Sequence, residues 1–571
     1  RMTGNNPMRK GRNTPPLQGA FCLLFPLLFS TPLAAAENAV AGAGTWISII
    51  PPVAAILLAL LLKQVIPALF AGVWLGAWAI NGFSLVGLWH GLLDSFQKHI
   101  LIAAANEDHV SVVLFSLMIG GTVGIISRNG GMQGVVNLIV TWADSARRAC
   151  LATATMGMAI FFDDYANTLV VGNTMRPVTD SMKVSRAKLA YIVDSTAAPV
   201  SCIALVTTWI GYEVGLIGEA ISYIDNLDAE AYLVFLSTIP YSFYPVLAIA
   251  FVFMVASTGR DFGPMLKAET EARLNGVADN EHLDNALAED CKPIEAVEGK
   301  PQRAINAALP ILVLVFGVMG GLYVTGRANL DGAEPTLQNI IGAAESYKAL
   351  MWASLLGMVT AAGLTLVQRI MSLEEVVNAW YQGMRAMIYA MIILILAWAL
   401  GGITNELETA NFLVSILGDT LAVQMVPFLV FVIAAFTAFA TGSSWGSMGI
   451  LIPLVVPLTW AVMQANGYTG PEHMHILYSS IASVLAGSVW GDHCSPISDT
   501  TILSSMASGC DHIEHVRTQI PYAFLVGIVS LGVCSIPVAY GLPWWLGLAL
   551  GAGLLFAALR ALGRHPEAAT G

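Results

Sequence analysis

Charge is what this chain has least of. Asp, Glu, Lys and Arg make up 11% of its residues, against about 25% in soluble domains. No CxxC pair occurs, and the seven cysteines fall mostly in or beside apolar runs. They read as small packing residues, not as a disulfide framework. Basic clusters are lacking too: the formal charge of -12 is spread over loops and leaves no nucleic-acid patch. What the chain does have is hydrophobic sequence, 56% of the total. Apolar runs long enough to cross a bilayer recur throughout, which predicts an all-α polytopic membrane protein with the lipid bilayer as its first partner.

Arg9, Lys10 and Arg12 precede an apolar stretch from Leu17 to Leu33, followed by Ala34-Ala-Ala-Glu-Asn. A basic flank, a short apolar core and small residues predict a secretory signal peptide over residues 1–36; an uncleaved first helix is the other reading. Spans are expected at about 45–63, 64–80, 109–127, 149–162, 186–212, 232–256, 304–325, 347–368, 386–404, 422–440, 475–494, 519–540 and 544–562. Segments 163–183 and 441–463 are polar at one end and apolar beyond, and read as re-entrant helical hairpins. Such backbone survives at membrane depth only when buried in protein or lining a water cavity. The hydrophilic stretch 257–303 reads as a flexible, acidic cytoplasmic connector. It separates a first membrane half, 37–256, from a second, 304–571.

Basic residues orient the chain. With the segment after residue 36 starting outside, Arg147, Arg148, Arg176, Lys183, Arg260, Arg369 and Arg517 fall inside. The stretches Glu213–Glu230 and Glu406–Asp419 contain no Lys or Arg and fall outside. The bias agrees with a cleaved signal peptide, and the expected location of this multi-pass chain is the cell inner membrane.

Two acidic islands interrupt the apolar sequence. In the first, Asp163 and Asp164 stand side by side with no basic residue between Arg148 and Arg176. A carboxylate at bilayer depth costs roughly 2.5–3.5 kcal/mol on insertion scales, so it is rare and usually functional. Neighbours on a helix point about 100° apart. One aspartate is therefore expected to face a site, the other to pack against backbone amides or Arg176. Asn167 and Thr168 follow at a spacing that shares a helix face with the carboxylates. Hard oxygen ligands of this kind suit a small alkali cation. Asp194 opens Asp194-Ser-Thr-Ala-Ala-Pro-Val-Ser, where Ser195, Thr196 and Ser201 add hydroxyls. Pro199 frees a carbonyl one turn earlier, and unwound helices with exposed carbonyls coordinate cations in transporters.

The second island repeats the idea. Thr441-Gly-Ser-Ser-Trp-Gly-Ser-Met-Gly suits a hairpin tip, with Thr441, Ser443 and Ser444 as its polar groups. Asp492, His493, Ser495, Ser498 and Asp499 form the partner break around Pro496. The expected Na⁺ ligands are Asp164, Asn167, Asp194, Ser195, Asp492 and Ser498. A buried carboxylate holds its proton to near neutral pH and loses it when a cation arrives, which is enough for cation/proton exchange. Gly124-Ile-Ile-Ser and Gly402-Ile-Thr-Asn, and Pro199-Val-Ser-Cys and Pro496-Ile-Ser-Asp, recur at a near-constant offset. They predict two inverted-topology repeats with substrate bound near the midplane.

Other motifs mislead. Gly442-Ser-Ser-Trp-Gly446 matches the G-x-S-x-G nucleophile elbow, but that motif needs a strand–turn–helix context and its flanks here are apolar; no enzyme is expected. His473-x-His475 and His512-x-x-His515 have metal-like spacing but read as solvated loop histidines. Gly120-x-x-x-Gly124 and Gly487-x-x-x-Gly491 signal close helix packing.

Four stretches carry a resemblance: Phe162-Asp-Asp-Tyr-Ala-Asn-Thr-Leu-Val-Val-Gly, Met175-Arg-Pro-Val-Thr-Asp, Ala190-Tyr-Ile-Val-Asp-Ser-Thr-Ala-Ala-Pro and Trp490-Gly-Asp-His-Cys-Ser-Pro-Ile-Ser-Asp-Thr-Thr. The chain resembles the NhaC family of sodium/proton antiporters over roughly residues 45–540. The resemblance implies inverted repeats with re-entrant hairpins, an elevator-like division into scaffold and transport parts, and a homodimer. It implies secondary active transport of Na⁺ and H⁺ with no cofactor. The alternative it leaves open is a Na⁺-coupled carrier of an organic solute, such as methionine, another amino acid or an organic acid.

Overall fold

The computed structural model describes residues 40–566, apart from 63, 225–226, 228, 278–294, 331–333 and 418–420. The signal-peptide reading of residues 1–36 lies outside the described residues. Apolar sequence offers its backbone no water to bond, so each run closes its own hydrogen bonds as a helix. Among the described residues the one β-type pairing is an isolated bridge between Asp261 and Arg564.

The first half opens with α1 (Ile50–Leu62), α2 (Val65–Ile80), α3 (Leu85–Asp94) and α4 (Leu101–Ala105). Then come α5 (Glu107–Arg128), α6 (Gly131–Val140), α7 (Ala146–Ala159), α8 (Asp164–Ser181), α9 (Arg186–Ser201) and α10 (Ile210–Ser222). It closes with α11 (Ala231–Thr238) and α12 (Phe243–Thr258), and α13 (Gly263–Asn275) follows. The second half holds α14 (Ile305–Ala328), α15 (Leu337–Gly342), α16 (Ser346–Val367), α17 (Leu373–Glu406) and α18 (Thr409–Leu417). It continues with α19 (Val426–Thr441), α20 (Ser444–Ala465), α21 (Met474–Cys494), α22 (Asp499–Ser508), α23 (His512–Val529), α24 (Ile536–Ala539) and α25 (Trp544–Leu562).

Among the described residues, eight helices are long and apolar enough to cross a membrane, or nine if Ala231–Tyr241 and Phe243–Thr258, bent by 50°, count as one. Outward-facing Leu312, Phe316, Leu355 and Val359 on α14 and α16 present an apolar face suited to lipid. By contrast, all of α9 is buried. Glycines set the tightest crossings. A Cβ on Gly120 would lie 2.9 Å from the Gly383 carbonyl, which holds α5 against α17. One on Gly487 would lie 2.6 Å from the Phe431 carbonyl, which holds α21 against α19. Both G-x-x-x-G readings therefore correspond to close packing.

Segments 163–183 and 441–463 each contain one continuous helix, α8 and α20, and the fold-back lies just ahead of each. The physical reason is capping. The Asp163 side chain accepts from the Ala166 N–H at 2.6 Å, and the Ser443 hydroxyl from the Gly446 N–H at 3.2 Å, so the polar residues start helices. Gly442, at φ +68°, ends α19 in the left-handed conformation that favours glycine. The Asn167 amide donates to the carbonyls of Gly157 at 2.7 Å and Ile160 at 3.2 Å, returning the start of α8 to the end of α7.

The expected span 186–212 is interrupted: α9 stops at Ser201 and α10 starts at Ile210. Glu213 is thus not in an external loop but in the first turn of α10. The second half has the same order, with a fold-back (α19, α20) and then a helix broken beside proline (α21, α22). The connector is built partly into the fold. In α13, Met265, Glu269 and Ala272 are buried, and Glu269 accepts from the Ser185 N–H at 2.7 Å and hydroxyl at 2.6 Å.

Candidate functional site

The two fold-backs and the two helix breaks meet. Trp445, beside the second fold-back, packs its ring 5.2 Å from that of Trp209 at the first break. Its carbonyl accepts from the Tyr212 hydroxyl. A Cβ on Gly442 would lie 2.5 Å from the Ile497 carbonyl, so the second fold-back touches the second break. The Tyr165 hydroxyl donates to Asp499, tying the first fold-back to that same break. Through these contacts α8, α9 and α22 form one buried bundle drawn from both halves.

Each acidic residue in the bundle has a different setting. Asp492 is saturated: the Ser498 hydroxyl donates to one oxygen at 2.8 Å and the Thr500 hydroxyl to the other at 2.9 Å. Asp194 accepts from the Gln519 amide at 2.6 Å, from Thr501 at 3.2 Å and from Ser504 at 3.4 Å. Two imidazoles stand just beyond it, His493 at 3.9 Å and His515 at 3.8 Å. Asp163 is the residue that packs against backbone amides, through its cap. Asp164 differs from all of these. It is buried, and neither of its oxygens has a hydrogen-bond partner. The Trp209 indole is near enough to interact with Asp164 but makes no hydrogen bond.

The orphaned atoms cluster. Asn167 Oδ1 and the Thr168 hydroxyl are also buried and unpartnered, three and four residues after Asp164 on the same helix. A buried polar group without a partner costs about 1–3 kcal/mol, more if charged. Three of them on one helix face make a set of oxygens with unfilled coordination.

Several expected site residues donate their hydroxyl protons to backbone carbonyls. Thr441 donates to the Thr437 carbonyl at 2.8 Å, and Thr196 to the Ile192 carbonyl at 2.8 Å. Ser495 donates to the Phe439 carbonyl at 2.7 Å, and Ser201 to the Phe161 carbonyl at 3.4 Å. Ser443 is a cap, and Ser444 is buried beside it. Both ring nitrogens of His493 are engaged, by Ser195 at 3.0 Å and Tyr244 at 2.6 Å.

His515 corrects the loop reading. It is fully buried within α23, 2.8 Å from Ser505 and 2.8 Å from Gln519. Gln519, Thr500, Thr501 and Ser504 were not anticipated. The run Asp499-Thr-Thr-Ile-Leu-Ser-Ser carried a signal, since its hydroxyls recur at i, i+3 and i+4. Among the described residues, no three His, Cys, Asp or Glu side chains converge as a metal cluster.

Comparison with known proteins gives the same direction. Residues 200–536 match the Na+/H+ antiporter family. An uncharacterized protein of Haemophilus influenzae is 32% identical over 497 residues, covering 86% of this chain and 91% of that protein. The malate-2H(+)/Na(+)-lactate antiporter of Bacillus subtilis is 31% identical over 139 residues, 21% of this chain and 27% of that protein. Among solved structures, MtrF of Neisseria gonorrhoeae, from work on a class of antimetabolite efflux pumps, aligns at a TM-score of 0.50 and 15% identity. It covers 81% of this chain and 84% of that one, a likeness of fold alone.

Proposed function

The chain belongs to the Na+/H+ antiporter family, and from that premise we propose that it exchanges Na⁺ for H⁺ across the inner membrane. The observation that carries this reading is the buried, unpartnered Asp164 carboxylate, with Asn167 Oδ1 and the Thr168 hydroxyl beside it. A carboxylate in that position is neutralised either by a proton or by a cation. The four oxygens of these three residues suit a small alkali ion, and the two occupants compete for one negative charge. Asp194, Ser195, Asp492 and Ser498 then form a hydrogen-bonded wall that fixes the neighbouring breaks. The repeated order of fold-back and broken helix supports inverted repeats, with these elements moving as a transport part against a scaffold.

The test is reconstitution of the full chain in liposomes with a trapped pH dye, followed by external Na⁺ and no other solute. A prompt Na⁺-dependent rise in lumenal pH is the expected result. No response, in vesicles shown to be sealed, would remove the exchange reading.

A second reading, a Na⁺-coupled organic-solute carrier, has two supports. The Bacillus subtilis relative's name joins malate and lactate to H⁺ and Na⁺. A cavity of about 340 Å³, lined by Tyr223, Asn405, Glu408, Trp460 and Gln464, has room for a small solute. It lies at the far end of α10, about 18 Å from the break by helix rise. Labelled uptake of amino and organic acids, with and without Na⁺, separates the two readings.

A further inference from the structure

Glu213 is a second buried carboxyl whose oxygens meet no donor at hydrogen-bond distance. Its side chain is fully buried in the first turn of α10, and both of its oxygens are unpartnered. The titratable group that interacts with it is the Cys202 thiol, from the break between α9 and α10. The other elements packed on α10 direct their titratable groups elsewhere. On α5, His109 is paired with Glu219 at 2.8 Å, further along α10. On α11, the Tyr232 hydroxyl donates to the Leu205 carbonyl at 2.8 Å. On α17, Tyr389 faces Tyr212. The sequence of α20 has no Asp, Glu, His, Lys, Arg, Tyr or Cys. No cation among the described residues is therefore placed to neutralise Glu213.

An ionised carboxylate in such a place is too costly to persist, so the group stands as the neutral acid. The Cys202 thiol is the titratable neighbour such an acid has, and a thiol is a weak hydrogen-bond partner. The position of Glu213 gives this a use. Glu213 follows Trp209 by four residues, so the two share one face of α10. Trp209 is the residue whose indole approaches Asp164. Trp209 is thus a neighbour both of Glu213, one helix turn on, and of Asp164.

We infer that Glu213 is a proton-carrying residue of the exchange, distinct from the cation ligands, that delivers protons to the Asp164 site through water alongside Trp209. This rests on the proposed exchange. In the step, the Glu213 O–H bond breaks, the proton passes along water beside the Trp209 indole, which can donate but not accept, and an O–H bond forms on the Asp164 carboxylate as the cation leaves. Glu213 then regains a proton from water on the outer side.

Glu213→Gln tests this, because glutamine keeps the shape and neutrality of the protonated acid. If the carboxyl were merely structural, the substitution would be silent. With the full chain in liposomes, Na⁺/Na⁺ counterflow should stay near the wild-type rate. Na⁺-driven proton movement should fall at least about tenfold, equivalent to ~1.4 kcal/mol in the barrier. Wild-type proton flux with an unchanged pH profile would overturn the inference. A readout independent of transport is infrared difference spectroscopy of the purified protein during a pH titration. A protonated-carboxyl band that titrates in the wild type and is missing in Glu213→Gln supports the proton site even if Na⁺ drives no flux. Identical spectra would overturn it. Absent Na⁺ flux in the wild type, with the band present, would instead count against the exchange reading alone.

Discussion

Asp492 and Asp164 are two buried aspartates of one bundle, and their surroundings are opposite. Every oxygen of Asp492 is met by a hydroxyl of its own helix break. No oxygen of Asp164 is met at all. The first arrangement is what a folded chain does with a carboxylate it needs for structure. The second stores an unsatisfied charge site, which persists only when a ligand or proton completes it. Burial alone does not separate the two aspartates; the missing partner does.

The sharpest way to break this comparison is to neutralise each member. Asp164→Asn should cut Na⁺/H⁺ exchange by about a hundredfold to a few thousandfold, since losing one charge of a buried contact costs roughly 3–5 kcal/mol. Its thermal stability should hold, because no hydrogen bond is lost. Asp492→Asn should do the reverse and lower stability before it lowers exchange. Flux in liposomes and melting temperature in detergent check both. Active Asp164→Asn together with a stable, inactive Asp492→Asn would invert the assignment.

A third kind of buried carboxylate widens the contrast. Asp261 is ion-paired with Lys188 at 2.5 Å and accepts from the Tyr522 hydroxyl at 2.7 Å. Here the partner is a full charge, so removing it strands an anion. Lys188→Met is expected to destabilise the protein by about 3 kcal/mol, the lower end for breaking a buried pair. Denaturant or thermal unfolding of the purified protein reads this. A loss comparable to that of a surface lysine would show that the pair contributes little.

Ser498→Ala and Thr500→Ala sharpen the Asp492 side. Each removes one hydroxyl from a carboxylate, worth about 1.5–3 kcal/mol for a hydrogen bond to a charged group. Together they should make Asp492 resemble Asp164, and the double variant should show stability loss beyond either single one. A neutral double variant would mean that the hydroxyls do not hold the carboxylate.

How far the sequence could show this difference depends on range. Asp163, Asp164, Asn167, Asp194 and Asp492 were legible because charge inside apolar runs is rare. The hairpins and the broken helices were legible from proline and small polar residues, although the fold-backs lie a few residues earlier than expected. Ser443 reads as a tip residue, whereas it caps the helix that follows, and Asp163 meets a backbone amide as one of the two aspartates was expected to. The partners were not legible. Gln519 meets Asp194 across 325 residues, and no local pattern encodes such a contact. His515 was read as a loop residue because its spacing to His512 suggested metal or solvent. Its true company, Ser505 and Gln519, exists only after α22 and α23 pack. Glu213 was read as external because basic residues are missing around it, a rule that orients loops but does not locate helix ends.

The smallest effect concerns Glu269, which sits on α13 outside the spanning helices. Burial holds its carboxyl above the ordinary value of 4.5, against the opposing pull of the Lys188 ammonium. A carboxyl whose folded pKa lies above its unfolded one favours folding while protonated. That contribution is whole below the unfolded value and is lost as pH rises through the folded one. The wild type should therefore lose stability as pH rises above the ordinary carboxyl value of 4.5 and through the raised folded one. Glu269→Gln keeps an oxygen to accept from Ser185 and removes the titration, so its melting temperature should be flatter over the same range. Parallel curves for the two proteins would mean that Arg273, 3.8 Å away, and Lys188 already stabilise the ionised form. Glu269 would then belong with Asp261 among the paired carboxylates, and Asp164 and Glu213 would remain as the buried acids whose charge the protein leaves unmatched.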